Sequence, residues 1–192
     1  GVVGVELDAA IVEAGRRWLG VRLDGVDVVI DDARMFVAAE AARAPGRYDV
    51  VILDAFQFPY VPFQLATAEF FASVRRCLAP GGVLMVNAGR YGEARDVVHA
   101  IARTLAAVFP HVGQADPPTR SNTILVASDH APSEARGVQG LDVPAETKAL
   151  LRDLAARHAP LKPATWPEGT PLLTDDLAPV ERLTDRIIWR AL

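Results

Sequence analysis

The sequence predicts an α/β fold in which a mostly parallel sheet is covered by helices on both faces. Two observations carry this reading. From Gly1 to Phe109, short apolar runs alternate with stretches of helical periodicity, four times over, and such alternation builds parallel sheets whose crossovers are helices. The first three runs, moreover, close on acidic residues, at the position where open parallel sheets bind their ligands.

The first run, Gly1 to Asp8, is followed by Ile11, Gly15, Trp18 and Leu19 at helical spacing. Val26 to Ile30 is the second strand, with a helix from about Ala33 to Ala42. Tyr48 to Ala55 is the third, with a helix from about Thr67 to Leu78. Val83 to Asn87 is the fourth, and the helix after it, about Glu93 to Phe109, sets Val97, Val98, Ile101, Leu105 and Val108 in one stripe. A short strand near Val112 and another at Thr123 to Ala127 make an antiparallel pair at the sheet edge, the ending of a Rossmann-like class I methyltransferase fold. Asp129 to Leu141 is rich in Ser, Gly and Pro and reads as a surface loop. Leu150, Leu151 and Leu154 then lie on one side of a further helix. The four prolines between Ala159 and Thr174 rule out a long regular element there. Residues 1–192 read as one domain without internal repeats.

Composition narrows the function. The chain has 192 residues, 51% hydrophobic and 23% charged, as one globular domain does. A net charge of −4 leaves no basic stripe for nucleic acid phosphates. One cysteine, Cys77, offers neither a disulfide framework nor a thiolate cluster, so a reducing cytoplasm is the expected setting. No apolar run approaches the roughly 20 residues that cross a bilayer. The four histidines, at 99, 111, 130 and 158, lack metal-ligand spacing and read as structural or solvated; no metal is expected. The chain opens on Gly1 within an apolar run, with neither an initiator Met nor a signal peptide, and reads as a fragment.

The acids after the strands are the candidate site. Glu6, ending the first run, is suited to accept both hydroxyls of a ribose. Asp8 suits the cap of the helix that follows. Asp32 and Ala33 stand where an adenine edge would lie, the carboxylate accepting from the exocyclic amine and a backbone N–H donating to a ring nitrogen; Asp31 reads as solvated. Each acid has a second reading as a helix N-cap. The loop after Asp54 carries Phe56, Phe58, Tyr60 and Phe63, which either cover a ligand or pack as a hydrophobic lid. Asn87 either lines the pocket or ends its strand.

The runs GVELD, DDARMFV, YDVVILDAF, VPFQLATAEFF and LAPGGVLMVN, followed by SNTILVAS and LLTDDLAPVE, together resemble the spermidine synthase family of aminopropyltransferases, in a bacterial branch that includes fusions to an upstream membrane region. The resemblance implies transfer of an aminopropyl group from decarboxylated S-adenosylmethionine to a diamine such as putrescine, within polyamine biosynthesis. It gives ribose to Glu6, adenine to Asp32 and Ala33, and the amine nucleophile to Asp54. Gln57 and Tyr60 become substrate-binding candidates, as does Asp175 in a tail expected to fold back toward the site; Thr174 to Asp176 alternatively caps the last helix. A small-molecule amine is the expected partner, and a homodimer is a further expectation.

The sequence also departs from the family. The second acid of its Asp-x-x-Asp segment falls on Gln57, and the first, central strand with its Gly-rich loop is absent ahead of Gly1. These departures keep two other readings open: an S-adenosylmethionine-dependent methyltransferase acting on a small molecule, and a non-catalytic nucleoside-binding or interaction domain.

Overall fold

A computed structural model describes residues 1–55, 62–90, 94–117, 122–131, 144–157 and 161–191. The strands are β1 (Val2–Glu6), β2 (Val26–Ile30), β3 (Tyr48–Leu53), β4 (Leu78–Gly89), β5 (His111–Ala115), β6 (Asn122–Ser128) and β7 (Lys162–Pro163). The helices are α1 (Ala9–Trp18), α2 (Ala33–Arg43), α3 (Ala68–Cys77), α4 (Asp96–Val108), α5 (Ala145–Arg157) and α6 (Val180–Ala191), with a 3₁₀ turn at Phe63–Leu65. The alternation and the antiparallel ending expected from the sequence are both present.

The strands form two sheets. β1 and β2 pair in parallel with each other, Glu6 opposite Ile30. The second sheet runs β3-β4-β6-β5-β7, parallel between β3 and β4 and antiparallel elsewhere. Among the described residues no strand bridges the two sheets. The face of β3 turned away from the core is open: Ile52 is 69% exposed and Val50 is exposed as well. Helix α1 has no buried residue, so the apolar side made by Ile11, Trp18 and Leu19 faces solvent.

The core lies on one face of the five-stranded sheet. Leu53, Leu84, Val86, Ala88, Leu125 and Ala127 point toward Phe70, Phe71 and Val74 of α3 and Val97, Val98, Ile101 and Leu105 of α4. The period of two along the strands and the stripe along α4 make this packing possible. The segment after α5 joins this core through Leu173, Val180 and Leu183.

Two of the glycines show why the residue is needed, one through its backbone conformation and one through its surroundings. Gly81 has φ +82°, in the left-handed region open chiefly to glycine, and the register between β3 and β4 shifts there, between Tyr48 and Val50. At Gly113 a Cβ would come within 2.7 Å of Leu161; its absence lets the short β7 pair beside β5.

Helix α2 is fastened to β3 by a buried carboxylate. Glu40, 2% exposed, accepts from the Tyr48 hydroxyl at 2.7 Å and from Arg47 Nη1 at 3.0 Å, and pairs with Arg43. The Tyr48 hydrogen bond, then that of Arg43, holds the Glu40 carboxyl below its ordinary range against the opposing effect of burial. The Tyr48 phenol is pushed up to about 12 by burial and by the adjacent carboxylate.

Candidate functional site

The carboxyl ends of β1, β2 and β3 present the acids singled out in the sequence. Glu6 ends β1, and its Oε1 accepts from the backbone N–H of Asp8 at 3.0 Å. Asp8 in turn caps α1, accepting from Ala10 N at 2.8 Å. At the next strand end, Asp32 caps α2: its Oδ1 accepts from the backbone N–H groups of Arg34 at 2.8 Å and Met35 at 3.2 Å. Asp31 is exposed and accepts from Asp32 N at 2.8 Å. Capping and ligand recognition are compatible at Asp32, because a carboxylate has two oxygens and about four lone-pair sites, and both cap bonds fall on one oxygen.

Asp54 follows β3 and is exposed. Its Oδ1 accepts from Asn87 Nδ2 at 2.8 Å; Asn87 does not end its strand, because β4 continues in register with β6 to Gly89, and its side chain is instead turned to Asp54. Gln57 and Tyr60, with Phe56 and Phe58, lie outside the described residues, as does 132–141 of the expected surface loop. Phe63 is in the 3₁₀ turn and about half exposed. The side chains of Leu151 and Leu154 also lie outside the described part, while Leu150 is exposed.

The tail does fold back. Asp175 pairs with Arg34, one residue past Ala33 at the start of α2, and its backbone N–H donates to Glu69 Oε2 at 3.0 Å. Burial raises the Asp175 carboxyl, but hydrogen bonding from Thr67 and Arg34 outweighs it and holds the group below its usual range. Arg34 also donates through Nη1 to Gln64 O at 2.7 Å and Thr67 Oγ1 at 3.1 Å. Just upstream, Leu173 accepts from Ala68 N at 2.9 Å and donates to Thr104 Oγ1 at 3.0 Å. Thr174 to Asp176 does not cap the last helix: Thr174 closes a turn with Leu177, and α6 begins at Val180. Arg34 was not singled out in the sequence, because an arginine in the first turn of a helix reads as solvent-facing until its distant partner is known.

Among the described residues no group of three or more His, Cys, Asp or Glu side chains is arranged to hold a metal. Nor is any helix among them long and apolar enough to cross a membrane.

Residues 1–123 match the spermine/spermidine synthase domain. A probable polyamine aminopropyl transferase of Bifidobacterium longum is 29% identical across 95% of this chain and 43% of its own length. The polyamine aminopropyltransferase of Mycobacterium tuberculosis is 42% identical across 46% of this chain and 18% of its own. The crystal structure of a probable spermidine synthase from Corynebacterium glutamicum superposes with a TM-score of 0.69 at 27% identity, covering 91% of this chain and 63% of that one. Human methyltransferase-like protein 13, solved with SAH, shares the fold at a TM-score of 0.61 and 23% identity. The chain thus spans less than half the length of these two curated relatives. With a domain match over residues 1–123, more than half of its length, the chain belongs to the spermine/spermidine synthase family.

Proposed function

We propose that this chain carries the nucleoside-binding part and the amine-facing carboxylate of a polyamine aminopropyltransferase. In this reading it uses decarboxylated S-adenosylmethionine and a diamine such as putrescine. The observation that carries the proposal is Asp54 at the carboxyl edge of β3, held on one oxygen by Asn87, in the strand-end position equivalent to those of Glu6 and Asp32. Glu6 binds the ribose hydroxyls, and Asp32 with the Ala33 N–H reads the adenine edge. Gln57, Tyr60 and Asp175 are assigned to the substrate side.

The chemistry asks little more of the protein than placement and one base. A primary amine with a pKa of about 10.4 is protonated at neutral pH and cannot attack. A carboxylate attracts that cation and takes its proton. The nitrogen lone pair then forms a bond to the carbon beside the sulfonium, the carbon–sulfur bond breaks, and its electron pair stays on sulfur as the neutral thioether methylthioadenosine. Charge moves from sulfur to the product amine, so no metal is needed to balance the step.

The test is aminopropyl transfer by the full-length protein, with decarboxylated S-adenosylmethionine and S-adenosylmethionine compared as donors. Loss of a positioned base costs about a hundredfold or more in rate, so Asp54→Asn lowers kcat by that order while methylthioadenosine still binds. Methyl transfer from the carboxylated donor, or unchanged turnover in Asp54→Asn, overturns the proposal. Failure to bind any adenosyl nucleoside leaves a non-catalytic domain.

A further inference from the structure

Asp54 stands at one end of a row of three polar side chains that crosses the sheet. Leu53 lies opposite Val86 in the parallel β3–β4 register, which brings Asp54 beside Asn87. In the antiparallel β4–β6 register Asn122 lies opposite Gly89, one diagonal step from Asn87 on the same face. The three are joined in sequence: Asn87 Nδ2 donates to Asp54 Oδ1 at 2.8 Å, and Asn122 Nδ2 donates to Asn87 Oδ1 at 2.8 Å.

The direction of donation is forced. An ionised carboxylate only accepts, so Asn87 must turn its NH₂ toward Asp54 and its carbonyl toward β6. Asn122 must then offer its own NH₂. The far end of the row is anchored by the backbone: Arg90 Nε donates to the Asn122 carbonyl at 3.1 Å. The next residue, Thr123, is fully buried and donates to Asp116 at 2.7 Å. Asp116 is gripped by both terminal nitrogens of Arg95, at 3.0 and 2.7 Å, and those bonds, above all, hold its carboxyl down to about 2.

We propose that Asn87 and Asn122 are positioning residues that set the rotation of the Asp54 carboxylate, occupying Oδ1 from one side and leaving Oδ2 for the substrate amine. The proposal rests on the reading of Asp54 given above. Asn122 is the informative position, because its effect reaches Asp54 only through Asn87.

Two variants in the full-length protein separate positioning from packing. Asn122→Ala deletes one donor, worth about a tenfold loss in kcat at most. Asn122→Asp keeps the shape but reverses the polarity: it sets an acceptor against Asn87 Oδ1, so that Asn87 flips and presents its carbonyl to Asp54. A displaced catalytic group costs about a hundredfold. The expected order is therefore Asp worse than Ala in kcat, with KM for the nucleoside unchanged in both. Ala equal to or worse than Asp is the order that packing gives, and it overturns the proposal.

A second readout does not need turnover. In ¹⁵N-labelled full-length protein, Asp54→Ala shifts the side-chain NH₂ resonances of both Asn87 and Asn122. A shift at Asn87 alone, or at neither, refutes the row. Protein that transfers no aminopropyl group but shows both shifts refutes the functional reading and retains the row.

Discussion

Removing the Glu40 side chain tests how α2, whose first turn carries Asp32 and Ala33, is fixed to the sheet. Glu40→Ala deletes three interactions of unequal worth. Arg43 and Arg47 have side chains 69% and 46% exposed; their heads return to water, so each pair contributes at most about 1 kcal/mol. The Tyr48 hydroxyl is different. Its bond to a buried carboxylate is charge-assisted, a class worth about 1.5–3 kcal/mol. The sum is discounted because the strain of crowding two cations on one acid is relieved, giving a loss of about 2–3 kcal/mol. For a chain of this size that lowers Tm by about 4–12 °C. Urea unfolding followed by circular dichroism measures the loss directly, and a cycle with Tyr48→Phe isolates the phenol–carboxylate coupling. The sign with pH follows from the depressed carboxyl: the stabilisation is complete above the ordinary value of 4.5 and disappears as pH falls through the lower folded value. The wild type and Glu40→Ala therefore converge in acid. Losses that simply add in the cycle, within about 0.5 kcal/mol, or a gap that widens below pH 4.5, refute the argument.

Three other expectations follow from the same contacts. Asp32→Ser keeps a side-chain oxygen for the α2 cap but not the charge, so stability changes by no more than about 1 kcal/mol, while methylthioadenosine affinity in the full-length protein falls; equal stability and equal affinity would leave Asp32 as a cap only. Leu173→Ala opens a cavity where the tail enters the core and costs about 2–5 kcal/mol in urea unfolding; a cost under 1 kcal/mol would mean that the tail is not part of the cooperative unit. The Tyr48 phenol, raised to about 12, stabilises the fold fully below its unfolded value near 10 and loses that contribution as pH rises through 12, so Tyr48→Phe removes part of the alkaline destabilisation seen between those limits by thermal scans.

What the sequence made legible was periodicity and punctuation. The stripe on α4 and the alternation along β6 recur as buried faces, because a helix repeat of 3.6 and a strand repeat of 2 leave their mark on local order alone. The acids at strand ends were legible for the same reason. The sheet's detailed composition was not. β4 starts at Leu78, directly at the end of α3, because Ala79 and Pro80 look like a loop until the neighbouring strand supplies a partner. β7 is two residues long and exists through the space that Gly113 leaves. The site's supporting bonds were the least legible. Asn122 at a strand start reads as turn chemistry, and Arg34 and Asp175 meet only when positions 141 residues apart come together.

That last separation bears on when the site comes into being. At elongation rates of about 5–20 residues per second, the ribosome presents Arg34 roughly 7–30 s before Asp175. Throughout that interval the start of α2 has no carboxylate from the tail, and Leu173 has not yet reached its place beside α3 and α4. The nascent chain can pair β3 with β4 and seat α4 early, yet the start of α2 gains its contact with Asp175 only after the tail has been made. A ribosome stalled short of Leu173 would thus hold a sheet with the acids already at their strand ends and the start of α2 still without its partner from the tail.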